Sequence, residues 1–481
     1  MDGITLSAML PALILIVWAC ALLIIDLFVP RKWEAITAQL AAVGILGALL
    51  VCLLQTGGQI VSPDGMIVAD GYAAFLQVLF LFSGLIAIAQ AYDYIRRTGI
   101  ERGEYYILLL FTLAGMLIMA QSTNLVMIFL ALEVLSIPLY VLSGFARPEL
   151  ASEESALKYF LLGAFASGFF AFGIAMVYGG TGFVGFEEIV SVLSAQEADL
   201  TLVLIGAGMI LVGLGFKVAA VPFHMWTPDV YEGAPSSVTS FMSVGAKVAG
   251  FAALLRVFVA AFPDLAASWG AVIAVLASAT MIWGNIAAIA QNNIKRMLAY
   301  SSIAHAGYML MILPAAASEG VAASAVSGAI YYLLAYAVAN LGAWGVVITL
   351  EKQEAKGLEL DDYNGLFSRS PWLAAAMTIF LLSLTGVPPT VGFTGKFFIF
   401  KAVLDADLVW LALIGVAASL VSAFYYLRVV INMFMKPGEP EIRRSVLLQA
   451  TVWVTALATL LLGIFPGSVL ALAEKATMWL P

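Results

Sequence analysis

Long apolar stretches, separated by short polar segments, run along the whole chain. A helix needs about 20 apolar residues to cross the hydrocarbon core of a bilayer. By this criterion the sequence predicts an all-α, polytopic membrane protein with fourteen transmembrane helices in one domain, residues 1–481. The predicted spans are 7–28, 35–54, 73–93, 104–120, 123–144, 155–179, 200–222, 235–261, 269–290, 297–315, 321–350, 371–402, 408–434 and 446–470.

The composition agrees with a membrane protein. Hydrophobic residues make up 63% of the chain and charged residues 11%, against about 25% charged residues in a soluble domain. The first apolar run is followed by Arg31 and Lys32 rather than by a small-residue cleavage site, so we expect it to remain as the first helix. The net charge of -8 gives no reason to expect nucleic acid as a partner.

The basic residues between the spans alternate from loop to loop, which tests the number of spans independently. If loop n follows span n, every even-numbered loop lacks lysine and arginine. The positive-inside rule then places the odd-numbered loops in the cytoplasm and both termini outside. The basic loop residues are Arg31, Lys32, Arg96, Arg97, Arg102, Arg147, Lys295, Arg296, Lys352, Lys356, Arg369, Lys436, Arg443 and Arg444.

The seventh and twelfth predicted spans are interrupted by proline. Pro222 in the seventh, and Pro388 with Pro389 in the twelfth, cannot donate a helical hydrogen bond, so we expect both helices to kink or break there. In lipid, the freed backbone groups are tolerated only where protein or water receives them. Lys217 and Lys396 stand next to these breaks, and each is therefore expected to border a hydrated site.

The two breaks lie five spans apart, which indicates an internal repeat. We expect spans four to eight, residues 104–261, and spans nine to thirteen, residues 269–434, to form two five-helix repeats. Because five is odd, the second repeat must be inverted in the membrane. Inverted repeats with broken helices recur in ion-coupled transporters. In this register the fifth span, which carries Glu133, corresponds to the tenth, which carries His305.

A few ionisable residues fall deep within the apolar spans. A charge in hydrocarbon costs roughly 3 kcal/mol on insertion scales, so such residues indicate function by default. Lys217, Lys247 and Lys396 are the deep cations, and Glu133 is the deep carboxylate. Two alternatives stay open: Lys217 as a lysine paired only for packing at a proline kink, and Glu133 as a protonated acid bonded to the backbone.

Other ionisable residues are candidates to act together with these deep charges. Glu133 is expected to pair with Lys158 or Lys217, since a nearby cation favours the ionised carboxylate. Lys158 lies near its helix start and is alternatively an anchor at the membrane interface. His305, among serines and tyrosines, is either a proton relay between the halves or a neutral histidine held by a carbonyl. His224, at the first break, is a candidate for the cytoplasmic mouth of a path.

Three other basic residues lie within the predicted spans, and long basic side chains near a helix end reach the membrane interface. Lys401 is expected to do this. For Arg256 and Arg428 the sequence leaves anchoring and function open.

The chain offers little for metal or redox chemistry. Cys20 and Cys52 both lie in apolar spans and outside any CxxC motif, and His224 and His305 are the two histidines. This excludes a zinc or iron–sulfur site and leaves a haem held by both histidines as a remaining alternative. We expect no metal and no cofactor on this chain.

Several of these segments together resemble one known family. They are HMWTPDVYEGAP before the Lys247 helix, Glu133 and Lys217 each five residues before a proline, and the broken segment LTGVPPTVGFTGK. Over essentially the whole chain they resemble the antiporter-like membrane subunits of the proton-pumping NADH:quinone oxidoreductase, respiratory complex I. The large subunits of Mrp-type sodium/proton antiporters belong to the same wider family.

The resemblance implies both the site and its partners. It assigns a proton path, with energy from quinone reduction in neighbouring subunits that hold NADH, FMN, iron–sulfur clusters and quinone. The implied location is the bacterial inner membrane, among other membrane subunits of the complex and the lipid bilayer. The implied proton-channel residues are Glu133, Lys217, Lys247 and Lys396, with Lys158 and His305 in the connecting chain.

Two other functions remain open at this point. A proton moved against the membrane potential costs about 2.3 kcal/mol per 100 mV, so the path needs an energy source. A stand-alone or Mrp-type cation/proton antiporter would share all the buried charges and would differ in its partners. A purely structural membrane anchor is the second alternative, and the deep charges argue against it.

Overall fold

The computed structural model describes residues 3–30, 35–318, 320–351, 357–443 and 445–481. A two-stranded antiparallel hairpin, β1 (Ile60–Val61) and β2 (Val68–Ala69), accompanies the helices. The helices are α1 (Gly3–Asp26), α2 (Ala35–Gln55), α3 (Gly71–Arg97), α4 (Glu104–Gln121), α5 (Leu125–Ser143), α6 (Leu150–Thr181), α7 (Phe186–Ser194), α8 (Leu200–Val218), α9 (Trp226–Gly233), α10 (Ser236–Leu255), α11 (Ala266–Ile289), α12 (Ile294–Leu310), α13 (Ile312–Ala316), α14 (Ala322–Leu350), α15 (Leu366–Arg369), α16 (Pro371–Thr385), α17 (Val391–Asp405), α18 (Val409–Met435), α19 (Val446–Ile464) and α20 (Gly467–Lys475).

Helical segments of other kinds continue or join these helices. A π-helical segment (Arg256–Ala261) extends α10, and two short 3-10 helices (Pro263–Leu265 and Leu360–Tyr363) lie in loops. Five of the basic loop residues used to predict sidedness lie outside the described residues, namely Arg31, Lys32, Lys352, Lys356 and Arg444.

Thirteen helices in the described part of the chain are long and apolar enough to cross a membrane. They correspond to the predicted spans except the twelfth, where α16 and α17 stand in its place with 15 residues each. A 15-residue helix is about 22 Å long, which is less than the roughly 30 Å of a hydrocarbon core. The all-α polytopic architecture is confirmed, and a fourteenth crossing requires α16 and α17 together.

Both predicted breaks are present. α8 ends before Pro222, and Ala219 closes it with a left-handed backbone, φ 63°. α16 ends before Pro388, and Gly386 closes it in the same way with φ 92°. Glycine adopts this conformation without the steric penalty that a side chain brings. Each broken helix therefore ends inside the bundle and exposes its last carbonyls to whatever lies beside it.

Contacts between loops divide the loops into two sets. On one side they join odd-numbered loops: Asn293 with Glu359, Arg97 with Glu351, and Lys436 with Asp361. On the other side they join even-numbered loops and the segment after α20: Ile67 with Ser122, Ser194 with Asp264, and Asp70 with Trp479. These are the two sets that the alternation of basic residues predicts.

Three spans form the centre of the bundle. The apolar windows of Ser236–Ala261, Ile294–Ala316 and Ala322–Leu350 are 100%, 94% and 94% buried, whereas that of Gly3–Asp26 is 33% buried. The residues of α10, α12 and α14 are therefore shielded from lipid by the other helices. Polar side chains on these three helices must find their partners within the protein.

Helices α4 and α5 pack together in the same local way as α11 and α12. Asn124 caps α5 by accepting two backbone N–H groups of its first turn, and Asn293 caps α12 likewise. A Cβ on Gly115 would lie 2.5 Å from backbone of α5, and one on Gly284 would lie 2.6 Å from backbone of α12. Gly115 stands nine residues before Asn124, and Gly284 stands nine residues before Asn293, so the spacing is the same in both helix pairs.

Candidate functional site

Lys217 lies in the last turn of α8 and is 3% exposed. Its Nζ donates to Ser136 Oγ at 2.8 Å and to Tyr159 OH at 3.1 Å. The same nitrogen lies 5.3 Å from the ring centroid of Tyr159 and 6.0 Å from that of Tyr140. Hydroxyl oxygens and aromatic faces attract a cation but carry no net negative charge. The site therefore holds the ammonium group without neutralising it.

Glu133 lies on α5, and its Oε1 accepts a 2.5 Å hydrogen bond from Ser167 Oγ of α6. Among the described residues, no ion pair within 4.0 Å joins Glu133 to Lys158 or Lys217. The predicted direct pair is therefore wrong, because Lys217 is bound one turn further along α5, at Ser136.

Lys158 belongs to a partly exposed cluster of charges at the side of the odd-numbered loops. Its Nζ lies 2.6 Å from Asp229 and 2.7 Å from Glu154, and its side chain is 40% exposed. Arg296 binds Asp229 at 2.9 Å and Glu232 at 2.7 Å. Burial alone would raise the pKa of Asp229, but hydrogen bonds from Lys158 and Arg296 hold that pKa below its ordinary value. This geometry favours the anchor interpretation of Lys158.

Lys247 lies at the centre of the bundle and is 2% exposed. Its Nζ donates to both the carbonyl and the Oγ of Ser302, at 2.6 Å each. Ser302 Oγ in turn shares a 2.8 Å hydrogen bond with Tyr336 OH. One turn further along α10, a Cβ on Gly250 would lie 3.4 Å from Lys217 Cγ. Lys217 thus packs against the same helix that carries Lys247.

His305 is 2% exposed and is held by two tyrosine hydroxyls. Its Nδ1 lies 2.6 Å from Tyr332 OH, and its Nε2 lies 3.2 Å from Tyr426 OH. A hydroxyl can donate or accept, so either neutral tautomer or the imidazolium finds partners here. The alternative of a histidine held by a carbonyl is therefore wrong, since both ring nitrogens face hydroxyls.

Lys396 is 5% exposed and uses the second break directly. Its Nζ donates to the carbonyl of Thr385 at 2.9 Å and to Ser419 Oγ at 2.8 Å. Thr385 is the last residue of α16, so the break supplies this carbonyl. A Cβ at position 386 would lie 2.8 Å from Lys396 Cδ, which explains the glycine there. The lysine nitrogen also lies 4.4 Å from the ring centroid of Tyr308.

Aromatic rings connect Lys396 with the centre of the bundle. The ring of Tyr308, which faces Lys396, lies 5.6 Å from the ring of His305. The ring of Tyr336 lies 5.4 Å from His305 on another side, and its hydroxyl bonds Ser302, the partner of Lys247. These contacts form a buried series of polar groups, listed in order: Lys247, Ser302, Tyr336, His305, Tyr308 and Lys396. Lys217 packs against α10 beside this series.

His224 lies in the connection between α8 and α9, next to the ring of Trp283 at 6.1 Å. Burial lowers the pKa of its imidazole below the ordinary value. Within the described part of the chain its Nδ1 has no hydrogen-bond partner. The geometry places His224 beside the first break but does not join it to Lys217, so its role at a mouth stays a prediction.

Arg256 and Arg428, which the sequence leaves open, both stabilise the fold. Arg256 is fully buried and forms a two-pronged ion pair with Asp70, at 2.7 and 2.8 Å. Arg428 donates to the carbonyls of Ile289 and Gln291, where α11 ends. Lys401 is exposed, as expected of a lysine that reaches the interface.

Hydroxyl groups are the functional partners that sequence reasoning missed. Ser136, Tyr159 and Ser419 bind the deep lysines, and Tyr426 binds the histidine. Ser136 had a signal, since it stands three residues after Glu133 on a helix and therefore on the same side. The others come from distant helices. The capping asparagines also align the two helices. Glu133 and Ser302 each stand nine residues after the asparagine that caps their helix, and Ser136 and His305 each stand twelve residues after it.

The buried side chains of this site can exchange protons. The described residues include no group of three or more His, Cys, Asp or Glu that could hold a metal ion. Lysine, histidine, glutamate and hydroxyl groups at hydrogen-bond distance can pass protons between them.

Several known proteins are similar to this chain. A family model described as NADH:quinone oxidoreductase/Mrp antiporter, TM, matches residues 122–422. NADH-quinone oxidoreductase subunit N of Chloroflexus aggregans is 45% identical, over 99% of each chain. The protein of the same name from Trichlorobacter lovleyi is 43% identical, over 98% of this chain and 97% of the relative.

Solved structures add the fold. A chain of respiratory complex I from Thermus thermophilus superposes with a TM-score of 0.82 at 34% identity, covering 96% of this chain and 99% of that one. A chain of the Mrp complex from Dietzia sp. has a TM-score of 0.86 at 21% identity, covering 98% and 96%. At that identity the second likeness concerns the fold alone.

Proposed function

The chain belongs to the NADH:quinone oxidoreductase/Mrp antiporter transmembrane family, and we propose that it is subunit N, a proton-translocating membrane subunit of an NADH:quinone oxidoreductase. It is thus part of a translocase whose NADH, FMN, iron–sulfur clusters and quinone are bound by partner subunits. Relatives named subunit N match over nearly the full length, whereas the Mrp likeness is distant. An Mrp-type antiporter subunit is the second candidate.

The observation that carries the proposal is the burial of three lysines without a carboxylate beside them. Lys217, Lys247 and Lys396 are at most 5% exposed, and within the described chain none has a carboxylate oxygen within 4.0 Å. An isolated buried charge is costly, and the neutral amine is the other state open to a lysine. Such groups are suited to taking up and releasing protons rather than to holding the fold together.

We propose that protons enter near His224, cross through Lys217, Lys247 and His305, and leave by Lys396. The hydrogen bonds and ring contacts from Lys247 to Lys396 support this order, and Lys217 packs against the helix that carries Lys247. Charge on one member changes the protonation of the next, which is how coupled buried groups titrate. That Lys158 belongs to the chain connecting the proton-channel residues stays a prediction.

We also propose two inverted five-helix repeats, residues 104–261 and 269–434, in a chain whose odd-numbered loops face the cytoplasm of a bacterial inner membrane. The matched caps and close helix contacts of α4–α5 and α11–α12 support the repeats. The grouping of loop contacts supports the sidedness. Both termini then lie on the periplasmic side.

The function is tested by the proteins that accompany the chain in mild detergent. Subunit N is expected to purify with subunits that carry flavin and iron–sulfur clusters, visible in the absorption spectrum of the purified assembly. Purification with other antiporter subunits and without these chromophores would instead establish the Mrp-type alternative.

Glu133→Ala is expected to slow NADH-driven proton pumping about tenfold, the effect of a barrier about 1.4 kcal/mol higher. The reason is that a carboxylate one turn from Ser136 favours the charged form of the lysine that Ser136 binds. Glu133→Asp keeps the carboxylate and should retain part of the activity. Proton uptake is measured in inside-out vesicles that contain the whole complex. Glu197→Ala, which changes an exposed loop carboxylate, is the control. An unchanged pH dependence of turnover in Glu133→Ala removes Glu133 from the mechanism.

Lys396→Ala is expected to impair proton release more than proton uptake, because Lys396 follows the second break toward the outer side. Time-resolved pH indicators on the two sides of the vesicle membrane separate the two steps. Lys401→Ala, an exposed lysine on the same helix, is the matched control and should change neither. A larger loss of uptake than of release would place Lys396 at the wrong end of the path.

A further inference from the structure

A cavity of about 230 Å³ lies on the side of the odd-numbered loops. Thr349, near the end of α14, lines it together with residues at and near the starts of α16 and α19. Arg443 donates its backbone N–H to the carbonyl of Thr349 at 3.0 Å, which holds the segment before α19 against α14. The residues that line this cavity are distinct from those of the proposed proton path.

Two tryptophans form the outer wall of the cavity. Trp372 on α16 and Trp453 on α19 both line it, and their ring centroids lie 6.0 Å apart. Trp372 is 71% exposed and Trp453 is 48% exposed. Tryptophan is enriched where a bilayer meets water, because its ring is apolar and its N–H finds a polar partner there. These rings therefore indicate that the cavity lies at the membrane interface.

Two arginines stand next to the cavity in the chain. Arg369 precedes the lining residue Ser370 and is exposed. Arg443 follows the lining residue Ile442, and its side chain is 57% exposed. Its Nη2 lies 3.9 Å from a carboxylate oxygen of Glu441, whose side chain is 59% exposed. An ion pair so open to water is weak, so both arginines can attract an anion at the cavity.

An exposed apolar stripe on α19 leads from the cavity into the membrane. Trp453, Leu457, Leu461 and Ile464 are spaced by three or four residues, so they share one side of the helix. Each is about half exposed. At 1.5 Å per residue the stripe is about 16 Å long, roughly half of the 30 Å hydrocarbon core. The stripe therefore has the depth of one leaflet of the bilayer.

We propose that this cavity binds the headgroup of an anionic phospholipid from the leaflet on the odd-loop side, with an acyl chain along the stripe of α19. Arg369 and Arg443 attract the phosphate, since basic pockets between transmembrane helices bind anionic headgroups. Pockets for drug-sized ligands measure about 300–1,000 Å³, so this smaller cavity takes the headgroup and leaves the acyl chains outside. The site does not depend on the proposed proton path.

The site is tested in the assembly that purifies with the chain, placed in bilayers of phosphatidylcholine. A small amount of phosphatidylglycerol is added whose acyl chain carries a photoactivatable diazirine, and mass spectrometry identifies the residues labelled on illumination. Label is expected on Trp372 and along the stripe of α19. Excess unlabelled phosphatidylglycerol should remove most of this label, whereas excess phosphatidylcholine should not, because its headgroup has no net charge.

Variants of the arginines test the headgroup contacts. Arg369→Gln and Arg443→Gln are each expected to reduce labelling about fivefold, the effect of losing one basic residue near an anionic headgroup. Arg369→Lys and Arg443→Lys keep the positive charge and should keep most of the label. Arg102→Gln removes an exposed arginine of another odd-numbered loop and is the matched control. Labelling is divided by the amount of assembled complex.

Three results would overturn the proposed lipid site. Equal competition by phosphatidylcholine, or undiminished labelling in Arg369→Gln and Arg443→Gln, would show that this surface accepts any acyl chain. Absence of label from α19 in the unchanged protein would show that another subunit covers the stripe. If a glutamine variant fails to assemble, the competition between the two lipids in the unchanged protein decides.

Discussion

Lys217→Ala is expected to assemble with its partners and to lose most proton translocation, with a rate about 100-fold lower, a typical effect of removing a proton-transfer group. The variant removes the ammonium group that Ser136 and Tyr159 hold, one turn along α5 from Glu133. Pumping by the whole complex in vesicles, divided by the amount of assembled complex, measures the loss.

Two further variants serve as a partial rescue and as a control for Lys217→Ala. Lys217→Arg should restore only part of the rate, because a guanidinium group remains protonated and cannot release its proton. Lys475→Ala changes an exposed lysine near the end of the chain and should pump normally. Normal proton uptake in a well-assembled Lys217→Ala would exclude Lys217 from the path.

Arg256→Leu is expected to have the largest effect on stability, about 3–5 kcal/mol, because it leaves the carboxylate of Asp70 buried without its cation. Arg256 makes two hydrogen bonds to Asp70, donates through Nε to the carbonyl of Ala120 at 3.0 Å, and stacks 4.8 Å from the ring centroid of Tyr72. Asp70 also accepts the backbone N–H of Trp479, so the pair fastens the end of the chain. Thermal unfolding in detergent measures the loss.

Arg428→Leu is the matched control for this prediction. Arg428 is half-buried and binds backbone carbonyls rather than a carboxylate, so its removal strands no opposite charge. We expect a loss of about 1 kcal/mol, in the usual range for a hydrogen-bonded surface group. The double variant Asp70→Asn with Arg256→Leu should recover part of the stability. Equal losses of stability in Arg256→Leu and Arg428→Leu would show that the buried ion pair stabilises the fold no more than the hydrogen bonds of Arg428 do.

The sequence by itself determined the spans, the two breaks and the deep charges of this protein. A span is a local property, since about 20 apolar residues in a row suffice for a helix in lipid. A break is equally local, because proline removes a hydrogen bond wherever it stands. The relation of Lys217 to Pro222, and of Lys396 to Pro388 and Pro389, therefore needed no tertiary information. The resemblance to a family then indicated the proton path.

Only the tertiary structure decided which groups these residues meet. Glu133 binds Ser167 rather than a lysine, and Lys158 binds Asp229. His305 is held by Tyr332 and by a tyrosine from α18, far along the chain. Hydrogen bonds extend about 3 Å, so a partner depends on the rotation and depth of each helix in the bundle. Apolar spans tolerate many rotations, and the sequence pattern does not record which one packing selects.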